Sequence, residues 1–280
     1  FLLLSKAVDG SERLDLLPAL VAAYGELLGR LKAAGAQWVQ IDEPCLALDL
    51  DPAQQAAFRS TYATLAQLDR PQLLLATCFG ALADNLDTAC ALPVEGLHID
   101  LVRAPGQLDA VLYAWPGDRV LSLGLVDGRN VWRTDLDRAL DLARRAQARR
   151  GGDRLQLAPS CSLLHSPIDV GLEKSLPGDL RGWLAFARQK IEELRVLADA
   201  LNGLVSAGST LALARERLRS RRASSRVHRP DVAARVASLE EGIDRRQSPF
   251  PARWQAQQER FGLPLYPTTT IGSFPQTAQV

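Results

Sequence analysis

The sequence predicts an α/β fold of the (β/α)8 TIM-type barrel class, incomplete at the N-terminus and followed by a helical linker. Three observations carry this. Short apolar runs alternate with segments of helical period, polar residues gather where the apolar runs end, and no glycine-rich phosphate-binding turn follows the first run. Repeated βα units imply a parallel sheet, because each crossover returns the chain with the same polarity. A closed barrel collects every strand end around one mouth, whereas an open doubly wound sheet uses the ends near its switch point. Asp42-Glu43-Pro44, Thr77, Asp100, Asp127-Gly128-Arg129-Asn130 and Ser160-Cys161 all lie at such ends, which favours the barrel.

The elements follow in order. The apolar run at 2–4 reads as a first strand, and residues 15–34 as a helix, with Leu16, Leu17, Leu20, Val21, Tyr24, Leu27, Leu28 and Leu31 on one face. Gly35 ends it, as glycine does just past a helix C-terminus. "QWVQID" at 37–42 is the next strand, 52–68 a helix, and "QLLLATC" at 72–78 a strand covered on both faces. Then come a short helix at 82–90, a strand at 96–101, a helix at 107–114, a strand at 119–125, a helix at 134–149 and a strand at 154–158. The last long helix is 179–202. Six strands result, so two more upstream would complete a barrel.

Composition bounds the function. A chain of 280 residues with 47% hydrophobic content can fill a large core. Lys+Arg 33 against Asp+Glu 32 leaves a net charge of +1, so no whole-chain attraction favours nucleic acid or membrane surfaces. No apolar run approaches the roughly 18 residues of a membrane helix, which predicts a soluble protein. The chain starts at Phe1 and contains no Met, so it reads as part of a longer product with both ends cut. Cys45, Cys78, Cys90 and Cys161 form no C-x-x-C pair and read as reduced thiols of the cytoplasm. Cys161 and His165 are the one tempting metal pair, but zinc needs three or four ligands.

The rim residues admit more than one chemistry. Asp42 and Glu43 are adjacent, so in a strand they point to opposite faces, and a hydrolase would need a second carboxyl from another strand, such as Asp100 or Asp127. The more conservative expectation is that Asp42, Asp100 and Arg129 form ion pairs and cap loops. Trp38, Trp115, Trp132 and Trp183 read as packing aromatics. The Arg-dense stretch "RERLRSRRASSRVHR" at 215–229 reads as a solvated helical linker, since no aromatic platform accompanies it. A non-catalytic interaction barrel with a basic arm is a third reading.

"QIDEP" at 40–44, "LHIDLVR" at 97–103, "GRNVWR" at 128–133, "APSCSLLHSPID" at 158–169, "FARQKIEEL" at 186–194 and "LPLYPTTTIGSFPQT" at 263–277 together resemble cobalamin-independent methionine synthase. Their order and spacing cover essentially the whole chain. The resemblance implies two face-to-face barrels joined by a helical linker. Residues 1–203 would be the later part of the first barrel, 204–266 the linker, and 267–280 the opening strand of the second, catalytic barrel. It further implies methyl transfer from 5-methyltetrahydropteroyltri-L-glutamate to homocysteine as a zinc-bound thiolate, by a cytoplasmic protein that is a monomer at full length. The zinc ligands, the proton donor and the folate-binding residues would lie outside this chain, which by itself would be inactive, with no catalytic or metal-binding residue of its own. Ile271, Gly272 and Ser273 match the backbone segment that holds the amino-acid portion of homocysteine or methionine. Gly272 suits that task because a ligand can approach a backbone that lacks a side chain.

Overall fold

Five parallel strands pair in strictly sequential order: β1 (Trp38–Asp42), β2 (Gln72–Ala76), β3 (Gly96–Asp100), β4 (Val120–Val126) and β5 (Leu155–Pro159). The computed structural model describes residues 2–8, 10–205 and 207–268, and the chain divides into two compact units, Phe1–Ser224 and Ser225–Val280. Sequential order with right-handed crossovers places the connecting helices on one face, as in a barrel wall, whereas a doubly wound sheet reverses direction at its switch point. The strands themselves agree. Leu97 and Ile99 of β3 and Leu121, Leu123 and Leu125 of β4 belong to the continuous core, while the alternate positions carry His98, Asp100, Ser122 and Gly124 on the opposite face. Every residue of β3 and β4 is buried, so both faces of the wall are covered.

The helices begin and end where local chemistry dictates. α1 (Leu17–Ala33) has proline in its first turn and stops before Gly35, whose φ of +94° suits a residue without Cβ. α2 (Pro52–Ala66) opens on a capping box, in which Asp51 Oδ1 accepts from the Gln54 amide at 2.8 Å and Gln54 Oε1 accepts from the Asp51 amide at 3.1 Å. Two short helices follow, α3 (Leu86–Ala91) and α4 (Leu108–Ala114). α5 (Leu136–Arg150) is capped by Asp135. Next come α6 (Gly178–Trp183), α7 (Ala187–Leu201) and α8 (Ala207–Ala223), and α7 and α8 pack beside α5. The second unit holds α9 (Pro230–Ala237) and α10 (Phe250–Phe261).

Two expected elements differ. Leu2–Leu4 forms a 3-10 turn instead of a strand, so five strands are present where six were expected. Its carbonyls are taken locally: Leu2 O accepts from the Ser5 amide and hydroxyl, and Leu3 O from the Arg13 guanidinium. The expected helix at 179–202 is broken between α6 and α7. There Leu184 forms an antiparallel bridge with Trp132, Arg133 N donates to Trp183 O at 3.0 Å, and Ala185 N donates to Val131 O at 2.9 Å. Those tertiary bonds hold the backbone extended against helical propensity.

Candidate functional site

The C-terminal ends of the strands carry the polar residues, and the structure assigns most of them to holding loops. Asp100, buried at the end of β3, accepts from three backbone amides: Val102 and Arg103 at 2.9 Å on Oδ1, and Phe79 at 3.0 Å on Oδ2. Phe79 has a φ of +74°, a strained conformation for an aromatic residue, and Asp100 holds it there. The Phe79 ring meets the Arg129 guanidinium at 5.0 Å and the edge of His165 at 6.2 Å. Asp42 takes the Gln40 side-chain amide at 2.7 Å. Asp127 closes its own turn, accepting from Arg129 N at 2.8 Å and Asn130 Nδ2 at 2.7 Å, with Arg103 at 3.9 Å. Loop capping therefore describes Asp100 and Asp127, whereas Arg129 stacks on a ring and makes no ion pair among the described residues.

Glu43, next to Asp42, turns inward. Its Oε1 accepts from Tyr62 Oη at 2.9 Å at the edge of a largely apolar cavity of about 110 Å3, and burial raises the affinity of its carboxyl for a proton. The inner face of the sheet holds a buried polar chain. His98 Nδ1 lies 2.9 Å from Ser122 Oγ and its Nε2 3.5 Å from Ser160 O, and burial lowers its pKa, favouring the neutral ring. Ser160 Oγ accepts from Gly128 N at 3.2 Å. A Cβ on Gly128 would stand 2.6 Å from Cys161 O, so this close approach requires glycine. Burial pushes the Cys78 thiol up to about 11 and raises that of Cys161, so neither is a ready nucleophile.

Sequence reasoning missed two charged residues of α7. Lys190 is fully buried and donates to Asn130 Oδ1 and Trp132 O, both at 3.3 Å. Glu193, also buried, accepts from Thr134 N at 3.3 Å and lies 3.7 Å from Arg133 Nη1. Burial lowers the Lys190 pKa and raises that of Glu193. A signal existed: Lys190, Glu193, Leu197 and Leu201 follow one another at steps of three and four, which places two charges on the apolar stripe. α8 accounts for part of the Arg-rich stretch. Arg215 pairs with Asp137 at 2.7 Å, Arg222 with Asp135 at 3.2 Å, and the Arg221 guanidinium lies 3.8 Å over the Trp132 ring.

Among the described residues no group of three or more His, Cys, Asp or Glu can hold a metal ion. His165 lies against Phe79, and the Cys161 thiol donates toward Ser162 O at 3.7 Å, so that pair does not converge with further ligands. No helix among the described residues is long and apolar enough to cross a membrane. Ile271, Gly272 and Ser273 lie outside the described residues.

Comparison with known proteins gives three findings. The family described as cobalamin-independent synthase, N-terminal domain, matches residues 1–151. The chain is 60% identical over all its 280 residues to a protein named 5-methyltetrahydropteroyltriglutamate–homocysteine methyltransferase from Xylella fastidiosa (strain M23), and 54% identical to one of the same name from Chelativorans sp. (strain BNC1). It spans 37% and 36% of their lengths. Among solved structures it is similar to a B12-independent methionine synthase from Shewanella sp. W3-18-1, in complex with selenomethionine. The TM-score is 0.50 at 14% identity, over 71% of this chain and 58% of that one. At that identity the likeness shows the fold, and the sequential parallel sheet is consistent with part of a TIM-type barrel.

Proposed function

Because the chain belongs to the cobalamin-independent methionine synthase family, we propose that it is the scaffold portion of a methyltransferase that moves a methyl group from 5-methyltetrahydropteroyltriglutamate to homocysteine. The observation that carries this reading is the 60% identity, over every residue, to a protein so named. The chain covers little more than a third of that relative, so the activity is proposed for a longer protein of which these residues are part. The chemistry asks for an activated acceptor: a tertiary amine leaves poorly, so the attacking sulfur must be a thiolate and the departing nitrogen protonated. Zinc would supply that activation in the family, but the described residues do not fit it, and no step through a metal is assigned to them.

Within this reading residues 204–266 connect two barrels, and the segment from 267 opens the second. The backbone at Ile271-Gly272-Ser273 is proposed to hold the amino and carboxyl groups of homocysteine or methionine. The partners are these small molecules, and the protein works as a cytoplasmic monomer without nucleic acid or membrane. A hydrolase based on Asp42, Glu43 and Asp100 is disfavoured, since both Asp100 oxygens are occupied by backbone amides and the Glu43 carboxyl is buried against Tyr62.

Steady-state kinetics of the longer protein tests the assignment. Gly272→Val should raise the homocysteine KM strongly and the folate KM little, because a Cβ obstructs the ligand at the backbone. Ser273→Ala should cost up to about tenfold in affinity, the worth of one hydrogen bond. Unchanged homocysteine dependence in folded Gly272→Val removes the site, and methionine synthesis by the 280-residue chain alone overturns the scaffold reading.

A further inference from the structure

Lys190 and Glu193 are costly residues to bury, and both are spent on one loop, the connection from β4 to α5. Burial of a charge is tolerated where it holds geometry that apolar packing does not. What that loop encloses is a cavity of about 190 Å3 on the C-terminal side of β3 and β4. Its volume corresponds to about six water molecules at roughly 30 Å3 each, or to a ligand of similar bulk.

The lining is divided by chemistry. Leu101, Leu125 and Leu142 supply an apolar wall. Asp127 and Asp135 supply two carboxylates, each with acceptor capacity left beyond its present partners. Arg138 lines the same space with a side chain that makes no hydrogen bond or ion pair among the described residues. Thr134 Oγ1 is buried there without a hydrogen-bond partner, a condition that costs about 1–3 kcal/mol unless something occupies the cavity.

We propose that this cavity binds a small α-amino acid with a linear apolar side chain, distinct from the homocysteine segment at 271–273. Its carboxylate meets Arg138 and Thr134 Oγ1, its ammonium meets Asp127 and Asp135, and its side chain lies along the leucine wall. A simple anion does not suit the site, because two carboxylates face it, and a simple cation leaves Arg138 and Thr134 unused. The inference stands on the cavity alone and does not depend on methyl transfer.

Titration calorimetry of the full chain with L-norleucine tests it, with hexanoate and pentan-1-amine as the forms lacking the ammonium or the carboxylate. Saturable one-to-one binding with a Kd near about 1 mM or tighter is expected, with both analogues at least about tenfold weaker. Arg138→Ala, at an exposed position, and the near-isosteric Thr134→Val should each weaken norleucine by about tenfold while leaving the thermal unfolding curve in place. Absence of saturable binding, equal binding of either analogue, or unchanged affinity in folded Arg138→Ala overturns the proposal.

Discussion

His98 gives the fold a pH limit that can be read from one side chain. Burial depresses its pKa below the usual 6.5, so below that value the unfolded chain takes up the proton more readily than the native one. The stability contributed by the neutral ring is complete above pH 6.5 and declines as pH falls toward the native pKa. Thermal unfolding in buffers from about pH 7.5 to about pH 5 should show that acid limb, and His98→Gln should flatten it. Asp100 acts through geometry. Asp100→Ala strands three backbone amides, one of them holding Phe79 at positive φ, and should lower stability by about 2–4 kcal/mol in urea unfolding. Asp100 was legible as a polar residue at a strand end, but its task was not, because its partners come from two different loops. His98 was legible only as part of a strand, since nothing local marks which alternate position faces Ser122 and Ser160.

At the scale of elements, α7 has the most consequence for the mouth of the sheet. Its Lys190 and Glu193 fix the loop at 130–134, and that loop in turn bridges to Leu184 and breaks the helix expected across 179–202. Lys190→Ala should cost about 3–5 kcal/mol, since it leaves Glu193 with one buried cation fewer and empties the volume of the lysine stem. Lys190→Met keeps that volume and should cost visibly less, a comparison that chemical denaturation of the two variants decides. The four βα periods from β1 to β5 were readable from pattern because each buries one continuous apolar stripe. The break after Trp183 and the turn at Leu2–Leu4 were not, because their backbone partners, the loop at 131–133 and Ser5 with Arg13, are chosen by folding and leave no period in the sequence.

For the whole molecule, metal content separates the scaffold reading from its rivals. Purified chain should carry no stoichiometric zinc by elemental analysis, because a catalytic zinc needs three protein ligands and the described residues offer no such group. One zinc per chain, lost on changing Cys161 and His165, would contradict this. The sequential strand order also governs how the molecule comes into being. Each strand after the first pairs with the one that precedes it in the chain, so every partner has already been synthesised when the next strand emerges. A doubly wound sheet must hold some strands unpaired until later ones arrive, with the edge exposure and aggregation hazard that brings. Here the wall can grow one βα unit at a time in the direction of translation, and the apolar edge left open at any moment is the width of a single strand.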